Sequence, residues 1–167
     1  MKPYQITIIY LLFTLIACKP GAHKLPDSAF KKKLTTKQIP GLKYSIGLPA
    51  GYIIKKSKGP DFSVYYFYPA DTTNTTGFEG GFYMGNNPAL FPAANDSCKE
   101  QKTKAYLFGN NENWILNDCN GKYQVQLITK SNSGTDWPAY IHAFGNCKSK
   151  AELDKLLEVY ATLQKTD

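Results

Sequence analysis

Cys98, Cys119, Cys147 and His142 are the side chains beyond residue 40 whose types could do chemistry. An imidazole can serve as a general base, and thiols can pair, bind zinc or attack an electrophile. Spacing decides among these. The sequence holds no GxSxG, no HExxH, no phosphate loop and no carboxylate cluster at metal-ligand spacing. His142 alternates with Tyr140 and Phe144 and is read as a hydrogen-bonded structural side chain on one strand face. A hydrolase using His142 with a nearby Ser or Asp is the catalytic alternative. The three thiols lack CxxC-type spacing and a fourth ligand, so the expectation is no zinc site, no cofactor and no catalytic residue. Asp61, Asp96, Asp118 and Asp136 read as surface or turn residues.

A fourth cysteine carries a different chemistry. The chain opens with Lys2, an apolar run from Ile6 to Ala17, and then Cys18-Lys19-Pro20-Gly21. Spanning a bilayer takes roughly 20 apolar residues, and this run is shorter. A basic start, a short apolar core and a small residue before a break are the marks of a secretory signal peptide. Leu15-Ile16-Ala17-Cys18 resembles the lipobox of bacterial lipoproteins. The resemblance implies cleavage after Ala17, a diacylglyceryl thioether on Cys18 and an acylated new amino terminus. Two or more acyl chains anchor stably, at about 0.8 kcal/mol per buried methylene. The expected address is the cell envelope, lipid-anchored. Lys19, where an aspartate would favour inner-membrane retention, points towards the outer membrane.

Export makes disulfides permissible. Cys98, Cys119 and Cys147 all fall near one end of the expected sheet, so one disulfide and one leftover thiol are expected. Cys98–Cys119 is favoured, because their strands would be hairpin neighbours.

The net charge of +7 invites a nucleic-acid reading. Its distribution argues against one. Residues 1–40 hold seven lysines and one acid, whereas residues 41–167 hold 13 lysines and 12 acids. The domain is nearly neutral and there is no arginine, so bidentate guanidinium contacts to phosphates and bases are unavailable. The basic excess belongs to the leader (1–17) and to a Lys/Pro-rich tether (18–40), read chiefly as a solvated spacer with some attraction to anionic lipid.

Residues 41–167 then form one domain with one core. Its fold class is α+β: mainly an antiparallel sheet of about six to seven strands with a packed C-terminal helix. Tyr44–Leu48 and Tyr52–Lys55 read as short strands around a Pro49-Ala50-Gly51 turn. Phe62–Tyr68 is aromatic on both of its alternating faces and reads as a central strand covered on both sides. Gly80–Met84 is a further strand, and residues 89–100 fit loop or short helix equally. Asn120-Gly121 predicts a type I′ hairpin with Cys119 opposite Lys122, Leu116 opposite Val125 and Trp114 opposite Leu127. Lys102–Phe108 should pair with Asn113–Asn117 across Gly109–Glu112, and Trp137–Phe144 is the last strand. Ser149-Lys-Ala-Glu152 is a capping box opening a helix to about Gln164, with Leu153, Leu156, Leu157, Tyr160 and Leu163 as its packed stripe.

The order of an opening "YSIGLPAGY", an aromatic strand, an antiparallel meander and "YIHAFGNCKSKAELDKLLEVYATL" resembles the PsbP-like (Mog/PsbP) α/β/α sandwich, which includes small envelope lipoproteins of the DcrB-like type. The resemblance implies a three-layer form and an accessory or binding role, and it carries over no active site. Tyr65, Tyr66, Tyr83 and His142 are the candidates for lining a ligand groove. The functional expectation is a non-enzymatic module binding an envelope protein or small ligand. An immunity lipoprotein that neutralises an incoming toxin is the alternative.

Overall fold

The computed structural model describes residues 28–71, 73, 77–131 and 139–166. The leader, Cys18 and the tether to residue 27 lie outside the described residues, as do Trp137 and Asp136. In chain order the strands are β1 (Thr35–Gln38), β2 (Tyr44–Leu48), β3 (Tyr52–Lys58), β4 (Ser63–Pro69) and β5 (Glu79–Gly85). β6 (Lys99–Leu107), β7 (Asn110–Cys119), β8 (Lys122–Lys130) and β9 (Tyr140–Cys147) follow, then helix α1 (Lys150–Tyr160) and a short β10 (Gln164–Lys165). Seven strands form one antiparallel sheet in the order β3-β4-β5-β9-β8-β7-β6, and β1-β2-β10 form a small second sheet. The α+β class is therefore what the chain adopts.

The β7–β8 hairpin has the register that its turn chemistry dictates. Asn120 and Gly121 sit at φ of 57° and 82°, as a type I′ turn requires. Cys119 faces Lys122 and Leu116 faces Val125. The β6–β7 hairpin departs from expectation. Leu107 faces Asn110, so the turn is the two residues Phe108-Gly109, with φ of 51° and 77°. Asn110 to Glu112, expected as loop, are strand. Packing holds Phe108 in this conformation, its ring 5.5 Å from that of Tyr44.

α1 opens as its capping box requires: the Ser149 hydroxyl accepts from the Glu152 N–H at 3.2 Å. The reciprocal bond is shifted by one residue, since the Glu152 carboxylate accepts from the Lys148 N–H at 2.8 Å. The helix stops at Tyr160, short of Gln164, because Gln164 and Lys165 pair with Ser45 and Tyr44 of β2. Leu153, Leu156, Val159 and Tyr160 are buried against one face of the large sheet. Gly80 and Gly145, opposed across β5 and β9, let the helix close on that face. A Cβ on Gly145 would lie 2.5 Å from the Leu156 side chain.

Three further expectations are corrected. The domain does not begin at Gly41: Thr35–Gln38 pairs with β2, and Ile39 is fully buried. Part of the segment read as spacer is thus folded, because Phe30, Leu34 and Ile39 supply apolar anchors between its lysines. β4 is not covered on both faces: it lies second from an edge, and Tyr66 is 40% exposed. Residues 89–98 form no helix. Among the described residues α1 is the sole α-helix, so the helical outer layer of an α/β/α sandwich is not among them.

Candidate functional site

Alternation along the strands sends one set of side chains to α1 and the other to the opposite, open face. On β4, Tyr65 and Phe67 face the core while Tyr66 and Tyr68 face out. Tyr65 is fully buried and stacked on Phe82 at 5.2 Å, so it lines no groove. Tyr66, Tyr83 and His142 share the open face, since Tyr83 pairs with His142 and Tyr66 packs on Phe144 at 6.0 Å. Gly81 sits between Tyr66 and Phe144 in the register, and its missing side chain gives the Phe144 ring its place.

Part of this face is crossed by the segment after β5. Asn87 donates its N–H to the Tyr83 hydroxyl at 3.3 Å. Phe91 is clamped by Gln126: the amide Nε2 donates to the Phe91 carbonyl and Oε1 accepts its N–H, each at 2.8 Å. At the far end a Cys98–Cys119 disulfide ties the segment to β7. The segment is thus pinned at its start, middle and end, without secondary structure of its own.

His142 lies beneath this strap. It is 2% exposed, with Nε2 3.1 Å from Gln126 Oε1 and the Phe91 ring 4.8 Å away. Burial pushes its pKa down from the usual 6.5 to about 4. A neutral ring with Nε2 donating to the amide is the state this site holds.

Cys147 ends β9 on the helix side and is buried, with a free thiol. Burial, with the Glu152 and Asp154 carboxylates nearby, raises its pKa to about 12. It therefore stays protonated and unreactive at neutral pH. No group of three His, Cys, Asp or Glu that could hold a metal ion occurs among the described residues. No helix among them is long and apolar enough to cross a membrane.

Two features of the face stand out. Among the described residues, Ile53, Tyr66, Leu90 and Phe91 are the large apolar side chains left exposed, at 40–48%. Ile53 and Tyr66 are on the open face, and Leu90 and Phe91 are on the strap across it. The second feature is a cleft of about 760 Å³ at the disulfide end, floored by Tyr68, Glu79, Asn146 and Gln124. Sequence reasoning missed Gln126 and Phe91. The signal was available: once Val125 is assigned to the helix side, Gln124 and Gln126 must face the other way.

No protein-family model, characterised protein or solved structure matches the chain.

Proposed function

We propose that this chain is a lipid-anchored envelope protein, held through Cys18, whose sheet domain is a non-enzymatic module binding an envelope protein or a small ligand through its open face. The observation that carries this reading is the placement of Ile53, Tyr66, Leu90 and Phe91 together on that face and its strap. Exposed apolar side chains that cluster, in place of scattering, mark interaction surfaces. Tyr66 and Phe91 bring large rings that lose little conformational freedom on binding. The buried, neutral state of His142 supports a binding role over proton-transfer chemistry.

The placement beside a bilayer rests on the leader and its cysteine. It is further supported by the charge of the segment through which the anchor enters the fold. Residues 28–60 carry eight lysines and no acid, and such a segment is attracted to anionic lipid.

Photo-crosslinking in the native host tests the reading, with benzoylphenylalanine at Tyr66 or Phe91. A discrete crosslinked product is expected at these positions and not at Lys155, exposed on α1 across the other face of the sheet. Equal yields at all three positions would refute the open face as the binding surface. Intact-mass analysis of native protein should show loss of residues 1–17 and added acyl mass on Cys18. A chain that retains its leader would refute the anchor.

A further inference from the structure

The cleft at the disulfide end has walls that specify a class of ligand. Its floor is a polar row that crosses the sheet at one level. Glu79 faces Asn146, and Asn146 faces Gln124, in consecutive strand registers. Tyr68 extends the row on β4, and Asn95 on the strap overhangs it. The next row of the same face is the apolar one, with Tyr66 and Phe144, so the polar row is a distinct zone.

The charges around the cleft balance: Asp71 and Glu79 against Lys122 and Lys148. A strongly anionic or cationic ligand would have no net field to favour it. The volume of about 760 Å³ falls within the roughly 300–1,000 Å³ of small-ligand sites. Such sites are usually apolar with a few polar groups; here apolar lining is shared with a continuous polar row, which favours a ligand that carries both hydroxyls and an apolar face.

Side-chain amides present a donor and an acceptor side by side. That pattern matches adjacent hydroxyls, each of which also donates and accepts. The Gln124 amide is already oriented, because its Oε1 accepts from Asn117 Nδ2 at 3.4 Å, leaving Nε2 as a directed donor. Asn117 itself is 2% exposed and does not line the cleft, so its part is to hold the Gln124 amide from within the row. Tyr68 adds a ring on which the C–H face of a sugar can lie. The Cys98–Cys119 disulfide fixes the strap to the sheet at this end, so the cleft is preorganised.

We infer that this cleft binds a neutral, polyhydroxylated saccharide, with Glu79, Gln124 and Asn146 reading its hydroxyls and Tyr68 stacking on one ring. The inference rests on the binding-module reading and assigns its small ligand. An envelope glycan and a soluble oligosaccharide share this chemistry.

The test uses the full mature chain in detergent on an array of neutral, sialylated and sulfated glycans, with uncharged cell-surface polysaccharide fragments, free of phosphate and acidic sugars, as a separate arm. Neutral glycans should bind in preference to charged ones. Asn146→Ala and Gln124→Ala should each weaken binding at least tenfold at an unchanged thermal midpoint, while Lys155→Ala, on α1 and away from the cleft, leaves it within twofold. Signal confined to the uncharged cell-surface fragments identifies an envelope source, and signal on the free oligosaccharides identifies a soluble one. Absence of binding on both arms, preference for charged glycans, or indifference to Asn146→Ala and Gln124→Ala would overturn the assignment. A protein crosslinked at Tyr66 without any glycan bound would overturn it too, while leaving the binding-module reading standing.

Discussion

Gln126 grips Phe91 by both backbone groups of one residue, donating to its carbonyl and accepting its N–H at 2.8 Å each. A single side chain thereby replaces a missing strand pairing and lays the strap over His142. Gln126→Glu keeps the size but loses the Nε2 donor, and it buries a carboxylate where the amide is 2% exposed. The variant should lose about 2 kcal/mol of stability. Hydrogen exchange should accelerate in residues 88–95 well before the β7–β8 hairpin is affected. Unchanged protection of the Phe91 amide would show that the clamp does not hold the strap.

His142 makes stability depend on pH. Its pKa is about 4 in the folded protein and near 6.5 in the unfolded chain. Between those values the unfolded state binds the extra proton, so stability falls as pH drops. The contribution is fully present above about pH 6.5 and is exhausted below about pH 4. The slope attributable to this one group is at most about 1.4 kcal/mol per pH unit. Carboxylates titrate in the lower part of the window, so the measurement is a difference. Urea midpoints from pH 7 to pH 4 should fall more steeply for the natural chain than for His142→Gln. Parallel curves would mean that the imidazole is free to protonate in the folded state.

What was legible in the sequence was what local chemistry decides. Asn120-Gly121 fixed the register of a hairpin, Ser149 fixed the start of a helix, and alternation on β9 placed His142 and Phe144 together. What was not legible came from tertiary contacts. Thr35–Gln38 has too few apolar residues to announce a strand, and it becomes one because β2 offers an edge. Phe108 takes a positive φ that its side chain disfavours, because Tyr44 packs on it. The open side of β4 was hidden because aromatic residues at successive positions read alike whether a layer covers them or not. The strap has no periodicity, and only the Gln126 amide and the disulfide reveal its course.

Tyr160 joins the helix to the sheet through its hydroxyl. The oxygen accepts from the Gly81 N–H at 2.9 Å and lies within donating distance of the Gly81 and Phe144 carbonyls on two adjacent strands. The side chain is fully buried, and burial raises its pKa far above the ordinary phenol range. Tyr160→Phe keeps the ring but leaves these backbone groups short of a partner where water does not reach. A loss of about 2 kcal/mol is expected. Gly145→Ala should cost a similar amount by another route, since its Cβ would meet Leu156 at 2.5 Å and the Glu79 carbonyl oxygen at 2.7 Å. Both losses should appear as lower midpoints in urea with an unchanged denaturant slope. A loss below about 0.5 kcal/mol in Tyr160→Phe would mean that the strands pair well enough without the hydroxyl.

The Cys98–Cys119 bridge closes a loop with a sequence separation of 21. In the chain-entropy treatment a loop of that length contributes about 3 kcal/mol, chiefly by restricting the unfolded chain. The double variant Cys98→Ser/Cys119→Ser should lower stability by about that much while leaving the β7–β8 hairpin register intact, because Asn120-Gly121 sets it independently. The third thiol provides an internal control. Cys147 is buried and its pKa is raised to about 12, so a thiol reagent should find no reactive group beyond residue 18 in the folded, unreduced chain. It should find one after denaturation. Two or more thiols in the denatured, unreduced chain beyond that residue would show that the bridge is absent from the native protein. Reaction of one thiol in the folded chain would show that the helix-side end of β9 opens to solvent.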